Sequence, residues 1–254
     1  MTDLVWGEFD PSDQPLQAWG DHIPGAKISA YIAAIWLVVA GGALLWRRSR
    51  RSAAASLTIL YGIFVLFPLP RFYTAPHFLG YRPAVYIGVL GSVCQEIILF
   101  IAAVVAWKSL SGRDSLSHRT AVIARWTFGL CSVDFGLGHL TAIKTVVPLI
   151  PKWIPLGATF WAVLTGIAFV LAGLAIVSGV LDVLAARLLG LMLLAFSALA
   201  LAPMIFSFPR DHASWGANAY NLTAVGAAWI VAEWLDGQRQ LVQHEQSARS
   251  GRLA

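Results

Sequence analysis

Charged side chains are scarce in this sequence. Asp, Glu, Lys and Arg make up 12% of the 254 residues, about half the share typical of soluble domains, and hydrophobic residues make up 58%. The mean hydropathy is correspondingly high, at +0.70. So few charges cannot supply the polar surface of a soluble domain of this length. The composition therefore predicts an all-α integral membrane protein, for which the lipid bilayer is the main partner.

Cysteine is also rare, and the motifs that bind common redox groups are missing. The two cysteines, Cys94 and Cys131, do not form C-x-x-C, and each lies near the middle of an apolar run. The sequence contains no C-x-x-C-H haem motif, no glycine-rich dinucleotide motif and no metal-ligand cluster of defined spacing. Two interpretations of the cysteines stay open, namely apolar packing and a redox pair between adjacent helices.

Seven apolar runs predict seven membrane spans. They are Ala30–Trp46, Ala54–Leu69, Ala84–Trp107, Thr120–Thr141, Leu156–Gly179, Val183–Phe206 and Trp215–Trp234. Lys and Arg cluster after the first span ("RRSRR", 47–51), after the third span and in the tail, whereas acidic residues dominate the N-terminal segment. The positive-inside rule then predicts a multi-pass protein of the inner (plasma) membrane, N-out and C-in.

The same distribution explains the net charge. The value of +5 comes mostly from these cytoplasmic loops, so we expect no nucleic-acid partner. Residues 1–28 lack a basic region followed by an apolar one, so we expect the first span to be retained as an anchor rather than cleaved as a signal peptide.

An internal repeat is indicated by a shift of 132 residues. It aligns "AAIWLVVAGGALL" (33–45) with "TGIAFVLAGLAIV" (165–177), and "PHFLGY" (76–81) with "DHASWG" (211–216 after a slightly longer shift). Either spans one to three repeat as spans five to seven around span four, or a shared bilayer composition imitates homology. The predicted regions are an outer segment (1–28), a three-helix half (29–119), a four-helix unit (120–235) and a polar tail (236–254).

Span four, "AVIARWTFGLCSVDFGLGHL" (121–140), is the most polar of the seven. At 100° per residue, one side carries Arg125, Gly129, Ser132, Gly136 and His139, and the opposite side carries Cys131, Asp134 and Gly138. A helix that is polar on two sides should not face lipid. We therefore expect span four to lie buried between the two halves, with its glycines allowing close helix approach.

Ionisable residues at this depth are candidates for function. Asp134, His139 and Glu96 are the candidate catalytic residues, in proton transfer; a structural hydrogen bond for Asp134 and an ion pair between Glu96 and Arg125 stay open. The candidate partners on neighbouring spans are Gln95, Asn218 and Asn221. The full set of candidate ligand-binding residues is Arg125, Trp153, His77, His212, Asn218 and Asn221, the two outer histidines following from the repeat.

The segment "VVPLIPKWIP" (146–155) follows His139 after a short interval. Its three prolines cannot continue a helix, and Trp153 suits the membrane interface, so the chain should leave and re-enter the bilayer here. Lys144, Lys152, Arg71, Arg82 and Arg210 would add positive charge on this side. Such a cluster either attracts an anion, a quinone or lipid head groups, or places its charges in water by snorkelling.

These stretches resemble the DoxX-like family of small four-helix membrane proteins. The resemblance covers about 120–235 and is carried by "ARWTFGLCSVDFGLGHL", "VVPLIPKWIP", "LTGIAFVLAGLAIV" and "AARLLGLMLLAF". It implies a link to thiosulfate:quinone oxidoreductase and to membrane complexes with soluble sulfur-transfer and superoxide-handling enzymes. By position, the family pattern matches Arg125, His139, Pro151, Trp153 and Pro155. The three additional N-terminal spans depart from it.

Three classes of function follow. We expect a membrane subunit of a quinone-linked oxidoreductase, with quinone as the cofactor and a soluble or membrane redox partner as the source of electrons. The alternatives are a non-catalytic scaffold or assembly factor, which needs only a packed bundle, and a small-solute transporter, which the repeat and intramembrane carboxylates would suit.

Overall fold

The structure is a computed structural model that describes residues 25–111 and 118–250. Every regular element in these two ranges is helical. The α-helices are α1 (Ala26–Leu44), α2 (Arg50–Leu66), α3 (Arg71–Leu79), α4 (Pro83–Ser109), α5 (His118–Thr141), α6 (Ile143–Val146), α7 (Ala158–Ser178), α8 (Asp182–Phe196), α9 (Ala202–Ser207) and α10 (His212–Ser250). Most of the predicted outer segment (1–28) and the end of the predicted tail (236–254) lie outside the described residues.

The helices confirm a multi-pass membrane protein. Five segments are long and apolar enough to cross a bilayer: Lys27–Leu44, Arg50–Leu79, Pro83–Ser109, Ala158–Ser178 and Asp182–Ser207. A sixth is added if Arg119–Thr141 and Ile143–Leu149, which meet at an angle of 84°, count as one bent span. The predicted seventh span lies inside α10, which does not belong to this set.

Five helices form a closed ring. Helix α4 packs on α5, α5 on α7, α7 on α8, α8 on α10, and α10 returns to α4. We call this arrangement the five-helix ring. Helices α2 and α3 pack on α4 from outside, and α1 packs on α2. The third predicted span therefore joins the four C-terminal ones in a single bundle, although the sequence assigns it to a separate three-helix half.

Helix α5 is only partly enclosed. It contacts α4 on one side and α7 on another, but a stripe of apolar side chains is exposed at helical spacing: Ile123, Trp126, Leu130 and Leu137. The expectation that span four lies buried between the two halves is therefore corrected, because both polar sides fit against neighbouring helices and a third, apolar side remains exposed.

Glycines bring α5 and α7 into backbone contact. A Cβ added at Gly136 would lie 2.6 Å from the carbonyl oxygen of Gly166, and one at Gly129 would lie 2.8 Å from that of Gly173. Such approaches leave no room for a side chain. The predicted close packing of this helix through its glycines is confirmed.

The long helix α5 ends at Thr141, before the first proline of the Pro-rich segment, Pro148. After the bend that follows Thr141, the chain forms α6 and a 3₁₀ turn, Val147–Leu149, and reaches α7 through Leu156 and Gly157, both with positive φ. The indole of Trp161 in α7 donates to the carbonyl oxygen of Pro155 at 2.7 Å. This bond fixes the start of α7 against the turn.

Helix α8 also departs from a regular helix. A π-helical turn, Ser197–Leu201, separates it from α9, in which Pro203 is near the first position. Proline cannot donate a backbone hydrogen bond, so the widened turn accommodates it without ending the span. The break lies directly beside the site described next.

Candidate functional site

A cavity of about 140 Å³ lies within the five-helix ring. We call it the central cavity. Every helix of the ring contributes to its wall, which is mostly apolar: Ile98, Phe128, Phe169, Leu189, Leu193 and Phe196. An engineered cavity of about 150 Å³ in another protein binds benzene, so the central cavity has the volume of one six-membered ring.

A few polar side chains interrupt the apolar wall. They are Gln95 on α4, Ser132 and His139 on α5, and Tyr220 and Asn221 on α10. An apolar pocket with a small number of convergent polar groups is the usual form of a small-molecule site. The lining therefore suits a flat, mostly apolar molecule with a few hydrogen-bonding atoms.

His139 is held by its own helix and by aromatic neighbours. Its Nδ1 atom lies 2.9 Å from the carbonyl oxygen of Phe135. Because a carbonyl oxygen only accepts, the hydrogen of the neutral imidazole belongs on Nδ1, and Nε2 is left as an acceptor. The imidazole centroid is 5.1 Å from that of Phe169 and 6.3 Å from that of Phe196. The ring thus stands among aromatic faces with one nitrogen available.

Asn221 connects the cavity to the π-helical turn. Its Nδ2 atom donates to the carbonyl oxygen of Leu193 at 2.6 Å and to Ser197 Oγ at 2.9 Å. Both amide hydrogens are used by the protein, so the Asn221 carbonyl oxygen is the atom that a ligand can engage. The side chain is 8% exposed, which places this network inside the bundle.

Two further polar groups can adapt to a ligand. The Tyr220 hydroxyl is 3.5 Å from the backbone carbonyl oxygen of Gln95, a long distance for an O–H donor, so it can turn towards the cavity. The Gln95 side-chain amide can both donate and accept. Ser132 is less adaptable, because its hydroxyl donates to the Phe128 carbonyl oxygen at 3.1 Å.

Asp134 lies on the other side of α5, as the helical spacing predicts. Its side chain is buried against α4, where a Cβ at Gly91 would lie 3.4 Å from Oδ2. That oxygen has no hydrogen-bond partner in the described part of the chain. Cys131 faces the same way, and the Cys94 thiol of α4 is within hydrogen-bonding reach of it. Asp134 and His139 therefore do not share one pocket.

Arg125 lies far from His139. The two are 14 residues apart on α5, about 21 Å along the helix axis. Arg125 Nη1 lies 3.0 Å from the position of a Cβ at Gly179, the end of α7. Arg239 reaches the same end, with bonds to the Gly179 carbonyl oxygen and to the buried Asp182. Arg125 belongs to this second cluster and not to the cavity.

The other candidates are dispersed. Glu96 lies close enough to the Tyr61 and Tyr220 phenols for electrostatic interaction. His77 and Trp153 are exposed, on α3 and after the 3₁₀ turn. His212 is buried at the start of α10.

Of the nine candidate site residues, the cavity wall includes His139 and Asn221. Asn218, one turn before Asn221, is half-buried and is not among the residues that line it. The sequence did not identify Phe169, Phe196 and Tyr220 as site residues, because phenylalanine and tyrosine are common in any apolar helix. Their positions relative to His139 could only come from the packing of the helices.

Comparisons with protein-family models, with curated proteins and with solved structures find no match to this chain.

Proposed function

We propose that this protein is the membrane subunit of a quinone-linked oxidoreductase and that the central cavity binds the quinone head group. The observation that carries the proposal is a cavity of about 140 Å³, inside a membrane bundle, whose wall combines aromatic rings with His139 and amide side chains. A quinone head group is a flat six-membered ring with two opposed oxygens. It matches both the volume and the sparse polarity of the wall.

The polar groups of the cavity wall can form hydrogen bonds with both redox forms of the ligand, the quinone and the quinol. The carbonyl oxygens of a quinone accept hydrogen bonds, which the Gln95 amide and the Tyr220 hydroxyl can donate. The hydroxyls of a quinol donate, and His139 Nε2 and the Asn221 carbonyl oxygen can accept. Because unmatched buried polar groups are costly, a site with both donors and acceptors favours a ligand that alternates between these forms.

His139 is the candidate group for proton exchange. Its fixed tautomer leaves Nε2 as a base towards the cavity, so it can take a proton from a quinol hydroxyl and return one to a quinone oxygen. Asp134 faces α4 and has no place in this exchange. The DoxX-like resemblance supports a partner protein or small sulfur compound, of the thiosulfate type, as the source of electrons.

We further propose the membrane arrangement that the charges favour. The chain has seven spans in the inner (plasma) membrane, N-out and C-in, with α10 providing the seventh. Arg125, Arg239 and the Arg-rich segment 47–51 then lie at the inner side, and His139 lies at the outer side. The repeat of spans one to three as five to seven stays a prediction.

Quinone content after purification tests the proposal. Ala224 on α10 is buried and lines the cavity, whereas Ala219 on the same helix is exposed. Leucine at 224 adds three carbon atoms to the cavity and leaves too little space for a six-membered ring, so Ala224→Leu should lose the ligand, and Ala219→Leu is the matched control. Protein in nanodiscs is extracted, and isoprenoid quinone per chain is measured by mass spectrometry.

The expected result is close to one quinone per chain in the wild type and in Ala219→Leu, and a loss of at least about tenfold in Ala224→Leu. Equal quinone in all three proteins, or phospholipid alone in the wild type, would contradict the proposal and favour a scaffold.

A further inference from the structure

Two buried cysteines face one another between α4 and α5. Cys94 is 4% exposed and Cys131 is 3% exposed, and the Cys94 thiol lies within hydrogen-bonding reach of Cys131. The two helices that carry them pack directly together. The register of the two helices agrees with this pairing, because Gly91, one turn before Cys94, lies against Asp134, one turn after Cys131. Thiols within hydrogen-bonding reach of each other can form an S–S bond of about 2.05 Å by movement of their side chains. These are the only two cysteines of the chain, so any intramolecular disulfide must join them.

A carboxyl group accompanies the thiols. Asp134 follows Cys131 by three residues and therefore lies on the same side of α5. It is close enough to Cys94 to interact electrostatically, and its buried Oδ2 has no hydrogen-bond partner in the described residues. A carboxyl oxygen left unmatched at membrane depth is expensive, which favours a functional role. Here it is placed to accept a thiol proton.

Tyr220 connects the thiols to the central cavity. It lines the cavity, and its phenol is close enough to Cys94 and Cys131 to interact electrostatically with both. The cysteines are not part of the cavity wall. They therefore lie outside the cavity, within electrostatic range of a tyrosine that forms part of the wall of the site that we assign to the quinone head group.

The geometry points to a redox couple: Cys94 and Cys131 alternate between dithiol and disulfide and deliver two electrons to a quinone in the central cavity. This inference rests on the proposed function for the identity of the oxidant. In the step, two S–H bonds break and one S–S bond forms. The two thiol protons leave the cysteines, the first by way of Asp134, which releases it again, and the quinone takes up two protons and two electrons to become a quinol. A small thiol reductant restores the dithiol by exchange through a mixed disulfide.

The test uses the full chain in nanodiscs. The protein is reduced, freed of reductant and mixed without oxygen with a short-chain quinone whose ring is fully substituted, so that thiols cannot add to it. After denaturation and labelling with a maleimide, the intact mass counts the remaining thiols, and absorbance measures the quinol. We expect both thiols to disappear and one quinol to form per chain.

Three variants separate the steps. Cys131→Ala should form no quinol and keep one labelled thiol. Asp134→Asn should form the same products about 100-fold more slowly, as expected for loss of a general base. Ala224→Leu, in which the cavity is too small for the ring, should form the disulfide with diamide, a small thiol oxidant, but not with the quinone.

The outcomes distinguish this couple from the quinone site itself. Wild-type protein that binds one quinone per chain yet keeps both thiols labelled would overturn the couple and leave the quinone site intact. Protein that binds no quinone, but whose thiols are joined by diamide, would overturn both the proposed function and the electron transfer to quinone. Rapid quinol formation by Cys131→Ala would also overturn the couple.

Discussion

The Nδ1 atom of His139 lies 2.9 Å from the carbonyl oxygen of Phe135, one turn earlier on the same helix. This contact orients the imidazole together with the neighbouring rings of Phe169 and Phe196. It also determines which nitrogen can serve a ligand, because the proton of the neutral ring is committed to the backbone. The acceptor Nε2 is thereby the chemically distinctive atom in an otherwise aromatic and aliphatic cavity.

The first prediction concerns that nitrogen. His139→Phe keeps an aromatic ring beside Phe169 and Phe196 but removes the acceptor. A hydrogen bond contributes about 1 kcal/mol, so affinity for a short-chain quinol should fall by about five- to tenfold. Equilibrium dialysis against nanodiscs measures the dissociation constant, and Trp153→Phe, at an exposed position, is the control. An unchanged constant in His139→Phe would remove His139 from the site.

The second prediction compares two glycines on α5. Gly136 has no room for a Cβ beside the Gly166 backbone, whereas a Cβ at Gly138 would meet nothing within 4 Å. Gly136→Ala should separate α5 from α7 and destabilise the protein by about 1–3 kcal/mol. Gly138→Ala should be neutral or slightly stabilising, since alanine is the better helix former. Thermal unfolding in detergent gives the comparison, and equal midpoints would contradict the backbone contact.

The third prediction concerns the bonds that Asn221 donates to α8. Asn221→Leu leaves the Leu193 carbonyl oxygen without this partner, and should destabilise the protein by about 1–2 kcal/mol. Thr223→Val is the control, because the Thr223 hydroxyl is exposed and bonds only within its own helix. Unfolding in mixed micelles of increasing SDS content measures both variants. A Thr223→Val effect as large as that of Asn221→Leu would argue against a specific role.

The sequence predicted the helical class and the two polar sides of α5 because both follow from composition and from the 100° helical repeat. Ser132 and His139 face the cavity, and Cys131 and Asp134 face α4, as that geometry requires. The sequence also indicated Asn221, but together with Asn218, which does not line the cavity. These inferences can be made from the sequence of each helix alone, without knowing how the helices pack together.

The cavity could not be predicted in the same way. Phe169 and Phe196 become site residues only because α7 and α8 lean on α5 at particular angles, which a list of apolar residues does not specify. The helix α3, with Pro76 inside it, occupies a stretch where the sequence indicated only a loop between spans. Likewise, Arg125 resembles a ligand-binding residue by type, but it lies near the N-terminal end of α5, whereas His139 and the cavity are towards the C-terminal end.

The fourth prediction compares two arginines, Arg239 and Arg187, near the N-terminal end of α5. Arg239 contacts Asp182, which is 4% exposed, whereas Arg187 meets Glu233 and Asp236 on an exposed surface. Removing Arg239 leaves a buried carboxylate without its cation, so Arg239→Ala should destabilise the protein by about 1–3 kcal/mol. Arg187→Ala should change stability by less than about 1 kcal/mol. The reverse order in denaturation experiments would contradict the assigned burial.

The fifth prediction is a dependence on pH at the start of α10. Ser214 donates its hydroxyl and its backbone N–H to the exposed Asp211, and these bonds lower the pKa of that carboxyl below its usual value. A lowered folded-state pKa gives stability that is fully present above the unfolded pKa of about 4. That stability is lost as the pH falls through the folded pKa.

Asp211→Asn keeps a capping side chain without the charge, so it is the matched control. The wild type should be more stable than this variant at pH 7, and the difference should shrink as the pH falls below about 4. Unfolding midpoints of both proteins across this range provide the measurement. A difference that is the same at pH 7 and pH 3 would contradict the role of the ionised carboxyl.

The quinone site in the central cavity is tested most directly by photolabelling the protein in nanodiscs with an azido-substituted benzoquinone, followed by peptide mass spectrometry. We expect labels on cavity residues of α5, α8 and α10, around His139, Phe196 and Tyr220. The labels should be displaced by excess unlabelled quinone and absent from Ala224→Leu. Labels scattered over the exposed apolar surface, undiminished by competitor and unchanged by that substitution, would contradict a quinone site in the central cavity.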